Sequence, residues 1–98
     1  MTPNISLTVR MTFLAQDREA IAAALLALTA ASRQEPGCVS YVPHSVQEDP
    51  DTIVIYEQYI DEQALDAHKR SPHFHLYAEG VLYKKMLSRD VEMLEAVC

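Results

Sequence analysis

The chain has 98 residues, is 49% hydrophobic and carries a formal net charge of −6. That length makes a single domain, residues 1–98. A domain so small buries only roughly 60–65% of the surface its unfolded chain exposes, so the apolar surplus points to a buried self-interface. The acidic balance excludes a general nucleic-acid binder, because no basic stripe is present to displace counterions from phosphate and Lys84-Lys85 is too short to make one.

No segment approaches the roughly 20 apolar residues of a membrane span, and the first residues lack the charged and apolar regions of a secretory signal. Cys38 and Cys98 form no metal-ligand spacing and are expected as reduced thiols in a cytoplasmic protein.

Residues 5–14 alternate strictly, with Ile5, Leu7, Val9, Met11 and Phe13 on one face, and predict a half-buried strand. Asp17 is placed to cap a helix running to Gln34, with Ile21, Ala24, Leu25, Leu28 and Ala31 as its apolar stripe. Glu35-Pro36-Gly37 ends it, the glycine being read as accepting a left-handed turn. A second strand spans Cys38 to Gln47 and contains Pro43, so it is an edge strand or bulged. After a polar turn at Glu48-Asp49-Pro50-Asp51, a third strand runs from Thr52 to Ile60. It is apolar on both faces, with Ile53 and Ile55 on one and Val54, Tyr56 and Ile60 on the other, and such a strand is covered on both sides.

Asp61 caps a short helix that ends near Arg70. Ser71 and Pro72 then open another, with Phe74, Tyr77, Ala78 and Val81 as its stripe and Gly80 as a weak point. Residues 88–97 read as a last strand. The order β-α-β-β-α-β, with the second α split in two, is the ferredoxin-like pattern of an α+β fold. Its helices cover one face of the sheet, and a second copy of the same sheet is the simplest cover for the other.

Glu35-Pro36-Gly37-Cys38, Tyr41, Asp49-Pro50-Asp51, Tyr56-Glu57, Asp61, Ala64-Leu65, Ala67-His68 and Ser71-Pro72-His73-Phe74 together resemble the antibiotic biosynthesis monooxygenase family, and most of all its bacterial quinol monooxygenases. The similarity covers residues 5–97. It implies a dimeric α/β barrel of two face-to-face ferredoxin-like sheets. It also implies small aromatic substrates oxidised by dioxygen without metal, flavin or haem. The family also contains an isomerase of a phosphorylated signalling sugar and members without known activity, so fold alone does not decide function. A haem-degrading branch relies on a tryptophan, and this chain has none.

His68 matches the family motif and is the candidate base for a phenolic proton, since the ordinary histidine pKa of about 6.5 suits that role. The structural alternative is a histidine bonded to a carboxylate. Glu57 is a carboxylate in an otherwise apolar strand. It needs a partner, either His68 or Arg10, and a Glu57–His68 pair would raise the basicity of the imidazole and hold its tautomer. The catalytic expectation is therefore His68 and Glu57, and the substrate-binding expectation is His73, Tyr77, Phe74, Tyr56 and His44. Of Tyr41, Tyr56, Tyr59 and Tyr77, most are expected in core or interface, with one or two lining an aromatic pocket. His73 and His75 cannot share a helix face, and with His68 they match no zinc spacing, so neither metal nor other cofactor is expected.

The resulting expectation is a cofactor-independent monooxygenase that oxidises a hydroquinone or related small polyphenol. Its partners are a second copy, the aromatic substrate and dioxygen, with no nucleic acid and no membrane. The alternatives are an isomerase of a small phosphorylated sugar, for which Arg10 and Arg33 are the scattered cations available, and a non-catalytic dimeric ligand-binding or stress-response barrel.

Overall fold

Strictly alternating residues put β1, Ile5–Thr12, at the centre of the molecule. The computed structural model describes residues 4–98. In it β1 lies between β3, Asp49–Tyr59, and β4, Ser88–Leu94, while β2, Cys38–Val46, pairs only with β3. The four-stranded sheet has the order β2-β3-β1-β4 and all pairings are antiparallel. This is the ferredoxin-like arrangement. β2 is an edge strand, so the missing N–H of Pro43 costs no ladder bond on its outer side.

The helices lie on one face. A 3₁₀ turn, Ala15–Asp17, leads into α1, Arg18–Ser32, and α2 follows β3 as Glu62–Lys69. Then comes α3, a π-helix over Phe74–Leu82 that closes on an α-helical turn, Tyr83–Lys85. The core sits between these helices and the sheet face that carries Leu7, Val9 and Met11 of β1 and Ile53, Ile55 and Tyr59 of β3. Ile21, Leu25 and Leu28 of α1 and Ala78 and Leu82 of α3 close it from above. None of the described helices is long and apolar enough to cross a membrane.

Local chemistry accounts for most boundaries. The Asp61 carboxylate accepts the Ala64 amide at 2.8 Å and starts α2. Ser71 Oγ donates to His68 O at 2.6 Å and accepts the Phe74 amide at 3.2 Å, joining the end of α2 to the start of α3. Asp17 caps nothing with its side chain. Its carboxylate instead receives Lys85 Nζ at 3.4 Å.

Three further expectations are corrected. The β2–β3 turn falls at residues 47–48, with Glu48 in the left-handed region at φ 69°, and Asp49, Pro50 and Asp51 belong to β3. The Asp51 carboxylate then takes a two-pronged bond from Arg18 at 2.8 and 2.9 Å, tying the strand to the start of α1. Gly37 is not left-handed, since no glycine has positive φ. A Cβ there would lie 2.4 Å from Ala64 Cβ, so the position needs glycine because α2 packs directly on the loop that follows α1. The segment after Ser71 winds more widely than an α-helix, with the Tyr83 amide bonded to Ala78 O five residues back. Its buried positions are accordingly Ala78 and Leu82, with Phe74, Tyr77 and Val81 only partly buried.

The Gly37 contact yields a direct test. Gly37→Ala forces α2 off the loop, and overpacking of this kind costs about 1–3 kcal/mol. Chemical unfolding of the variant should show a loss of that order. Unchanged stability would mean that the loop and α2 are not in register as described.

Candidate active site

Glu57 occupies what the alternation of β3 makes a core position. It stands across from Leu7 on β1 and Tyr41 on β2, and is only 5% exposed. The Tyr59 hydroxyl donates to its Oε1 at 2.6 Å. Arg10 is not its partner, since Arg10 points from the opposite face of the sheet, level with Val54 and Asp90.

His68, on the last turn of α2, hangs over this pair and is 2% exposed. Its Nε2 is 3.8 Å from Glu57 Oε1, and its Nδ1 is 2.8 Å from Glu35 Oε2. The same Glu35 oxygen is 2.5 Å from His73 Nε2, while Glu35 Oε1 is buried without a hydrogen-bond partner among the described residues. Aromatic rings wall the imidazole. The centroids of Tyr59 and Phe74 are each 5.3 Å away, Tyr41 is at 5.6 Å and His73 at 6.1 Å.

Burial sets the acid–base character of the walls. Removal from water pushes the Glu57 carboxyl upward against the opposing pulls of Tyr59 and His68. It likewise raises the Tyr41 and Tyr59 hydroxyls, both also beside the Glu57 charge. Both phenols are thereby held in the protonated form, and that of Tyr59 donates to Glu57. The Cys38 thiol is raised by burial and by Glu35 and Glu57, which fits an inert core thiol.

Of the residues singled out from sequence, the structure brings together His68, Glu57, His73 and Phe74. Tyr77 is half-buried against the core in α3. Tyr56 and His44 are not at this site. Tyr56 pairs with Thr8 and Val42, and His44 with Val54, which places both on the open face of the sheet. His75 leaves the cluster and pairs with Glu79 one turn on.

The residue that sequence reasoning missed is Glu35, read there as part of a helix terminator. The signal available in the sequence was its place in the motif Glu35-Pro36-Gly37-Cys38 of the family resemblance.

Glu35, His68 and His73 offer one oxygen and two nitrogens within 4.8 Å of one another. Two histidines and a carboxylate are a donor set suited to Zn²⁺ or Fe²⁺. Adjacent ligands on such an ion stand roughly 2.9–3.3 Å apart for bonds of about 2.05 Å. The contacts to Glu35 Oε2, 2.8 Å from His68 Nδ1 and 2.5 Å from His73 Nε2, are closer than that.

Three hollows lie away from this cluster. A 250 Å³ apolar cavity is lined by Phe13, Ile21, Leu25 and Ile53 beneath the Arg18–Asp51 pair. Clefts of 360 and 550 Å³ open beside β2 and beside the end of β4. None of these is lined by Glu35, Glu57, His68 or His73.

The sequence profile of the antibiotic biosynthesis monooxygenases matches residues 4–80. The chain belongs to the antibiotic biosynthesis monooxygenase family. Rv0793 of Mycobacterium tuberculosis, provisionally named a monooxygenase, is 33% identical over 91 residues, covering 93% of this chain and 87% of that protein. A Synechocystis protein without assigned function, sll1783, is 35% identical over 48 residues, and this chain spans only 33% of its length. Among solved structures, PA3566 of Pseudomonas aeruginosa superposes with a TM-score of 0.90 at 28% identity, covering 100% of this chain and 98% of that one. A Bacteroides thetaiotaomicron protein provisionally named an antibiotic biosynthesis monooxygenase gives 0.91 at 27% identity, covering 98% and 91%. The β-α-β-β-α-β fold is thus that of the family, and Glu35, Glu57, His68 and His73 all lie within the matched segment.

The buried Glu57 generates a prediction about stability. A carboxyl whose folded pKa is raised stabilises the fold while protonated, and that contribution is lost as pH climbs through the folded value. Glu57→Gln mimics the protonated form. Its thermal stability should match the wild type near pH 4.5, the ordinary value of the group, and exceed it increasingly toward neutrality. A gap that narrows with rising pH would contradict the direction of the shift.

Proposed function

We propose that the protein is a cofactor-independent monooxygenase acting on a hydroquinone or a related small polyphenol, with His68 as the base. The observation that carries this reading is the placement of His68. It is a fully buried imidazole between two carboxylates and ringed by Tyr41, Tyr59 and Phe74. An electron-rich ring finds stacking partners there, and the phenols and Glu57 supply hydrogen bonds.

In the proposed reaction His68 Nε2 removes a phenolic proton. The phenolate passes one electron to dioxygen, and the radical pair combines into a ring peroxide. Loss of water from the peroxide leaves a quinone with one added oxygen. For a hydroquinone the balance is C₆H₆O₂ + O₂ → C₆H₄O₃ + H₂O, with the substrate supplying all four electrons. The work of the protein is orientation, exclusion of water and proton transfer. Access requires Phe74 and the start of α3 to move aside, because His68 is closed off at rest. A wide-wound helix over the site is suited to that, since π-helical stretches recur at functional sites.

The open sheet face is proposed to meet a second copy. Val42, Val54 and Tyr56 lie on it, and Leu94, level with Ser6 at the sheet edge, is 41% exposed. This reading gives Tyr56 a role in the interface rather than at the substrate. Sedimentation should show a dimer at micromolar concentration, and a stable monomer would refute it.

The catalytic reading is tested by oxygen uptake and quinone absorbance over a panel of hydroquinones in air. His68→Ala should lower turnover by about 10²–10⁴-fold, the usual worth of a general base, while the dimer survives. A folded His68→Ala protein with near wild-type turnover would leave His68 as a structural histidine.

A further inference from the structure

We propose that Glu35 is the positioning residue of His68: it accepts the Nδ1 proton and thereby fixes the Nδ1–H tautomer, leaving Nε2 as a bare acceptor turned toward Glu57 and Tyr59. Its catalytic meaning rests on the reading of His68 as the base. The tautomer is a property of the resting protein and can be measured without any substrate.

The geometry decides between the two ring nitrogens. A neutral imidazole has one donor and one acceptor. Nδ1 is 2.8 Å from a carboxylate oxygen, and an oxygen with only lone pairs to offer requires a hydrogen on that nitrogen. Nε2 is 3.8 Å from Glu57 Oε1, beyond hydrogen-bond length. That oxygen already receives the Tyr59 hydroxyl at 2.6 Å. Glu57 is therefore not the orienting carboxylate that the sequence suggests. It faces the working nitrogen, while Glu35 holds the opposite one.

Glu35 is built for the task by its surroundings. Its amide donates to Ser32 O and its carbonyl accepts the Cys38 amide, each at 3.1 Å, so the backbone of this short loop is fixed. Gly37 lets α2 descend onto the same loop, which brings His68 within reach. His73 Nε2 meets the same carboxylate oxygen at 2.5 Å and anchors it from the start of α3. When Nε2 takes a proton, the imidazolium forms next to Glu35, where a charge-assisted bond stabilises it. A buried acid that orients a histidine and steadies its charged form is the arrangement familiar from hydrolytic triads.

The experiment is a long-range ¹H–¹⁵N imidazole correlation spectrum of ¹⁵N-labelled protein at about pH 8. The variants are Glu35→Gln and Glu35→Ala, with turnover measured on the same samples. Wild-type His68 should appear as the Nδ1–H tautomer. Glu35→Gln keeps a carbonyl oxygen to accept the proton and should retain that tautomer, with partial activity and an altered pH profile. Glu35→Ala should shift His68 toward Nε2–H and reduce turnover about 10²–10⁴-fold. An Nε2–H tautomer in the wild type, or an undisturbed Nδ1–H tautomer in folded Glu35→Ala, would overturn the proposal. Should Glu35→Ala fail to fold, the wild-type spectrum decides by itself. A tautomer shift in a protein without any phenol turnover would uphold the hold of Glu35 on His68 and overturn the monooxygenase reading instead.

Discussion

One carboxylate oxygen joins three parts of this chain. Glu35 Oε2, on the loop after α1, is shared by His68 of α2 and by His73 at the start of α3. The first half of the fold is thereby bonded to the second through its polar interior. The apolar core below could be filled in many ways, but this junction demands a particular geometry. Gly37 must be small for α2 to approach, Ser71 must turn the chain between the two histidines, and Pro72 must start the next helix. Each of these residues, unremarkable alone, serves the placement of two imidazoles around one acid.

The second constraint opposes stability. β3 carries Glu57 at a position that packing alone would give to an aliphatic side chain, between Leu7 and Tyr41. Its burial is disfavoured by lost hydration, partly offset by the Tyr59 hydroxyl. Here Glu57 faces Nε2 of His68 across 3.8 Å, a gap that a small hydroxyl could bridge. Tyr59 and Phe74 flank the His68 ring, each with its centroid 5.3 Å away.

Much of this was legible in the residues. The alternation of β1, the edge placement of the proline-bearing β2 and the caps at Asp61 and Ser71 all follow from local chemistry, and so does the ferredoxin-like order. Glu57 stands out as a carboxylate in an otherwise apolar strand, and His68 by its match to the family motif. What sequence could not supply was long-range approach. Glu35 and His68 are 33 positions apart, and no periodicity links them. The role of Gly37 likewise depends on Ala64, which only the packed structure reveals. The π winding of α3 escaped notice because Phe74, Tyr77, Ala78 and Val81 fit an α-helical stripe equally well. Tyr56 as an aromatic side chain and His44 from its place across from the third strand are sequence candidates for the site, and the pleat turns both to the other face.

The central claim is that a phenol binds with its hydroxyl at His68. The rival location within the same fold is the 250 Å³ apolar cavity under Arg18 and Asp51, which has room for a single ring. Titration of the protein with a hydroquinone under nitrogen, followed by the ring resonances of His68 and the methyl resonances of Leu25 and Ile53, separates the two. A saturable shift at His68, with Leu25 and Ile53 unmoved, is the predicted result. Saturation at Leu25 and Ile53 with His68 unmoved would contradict the account.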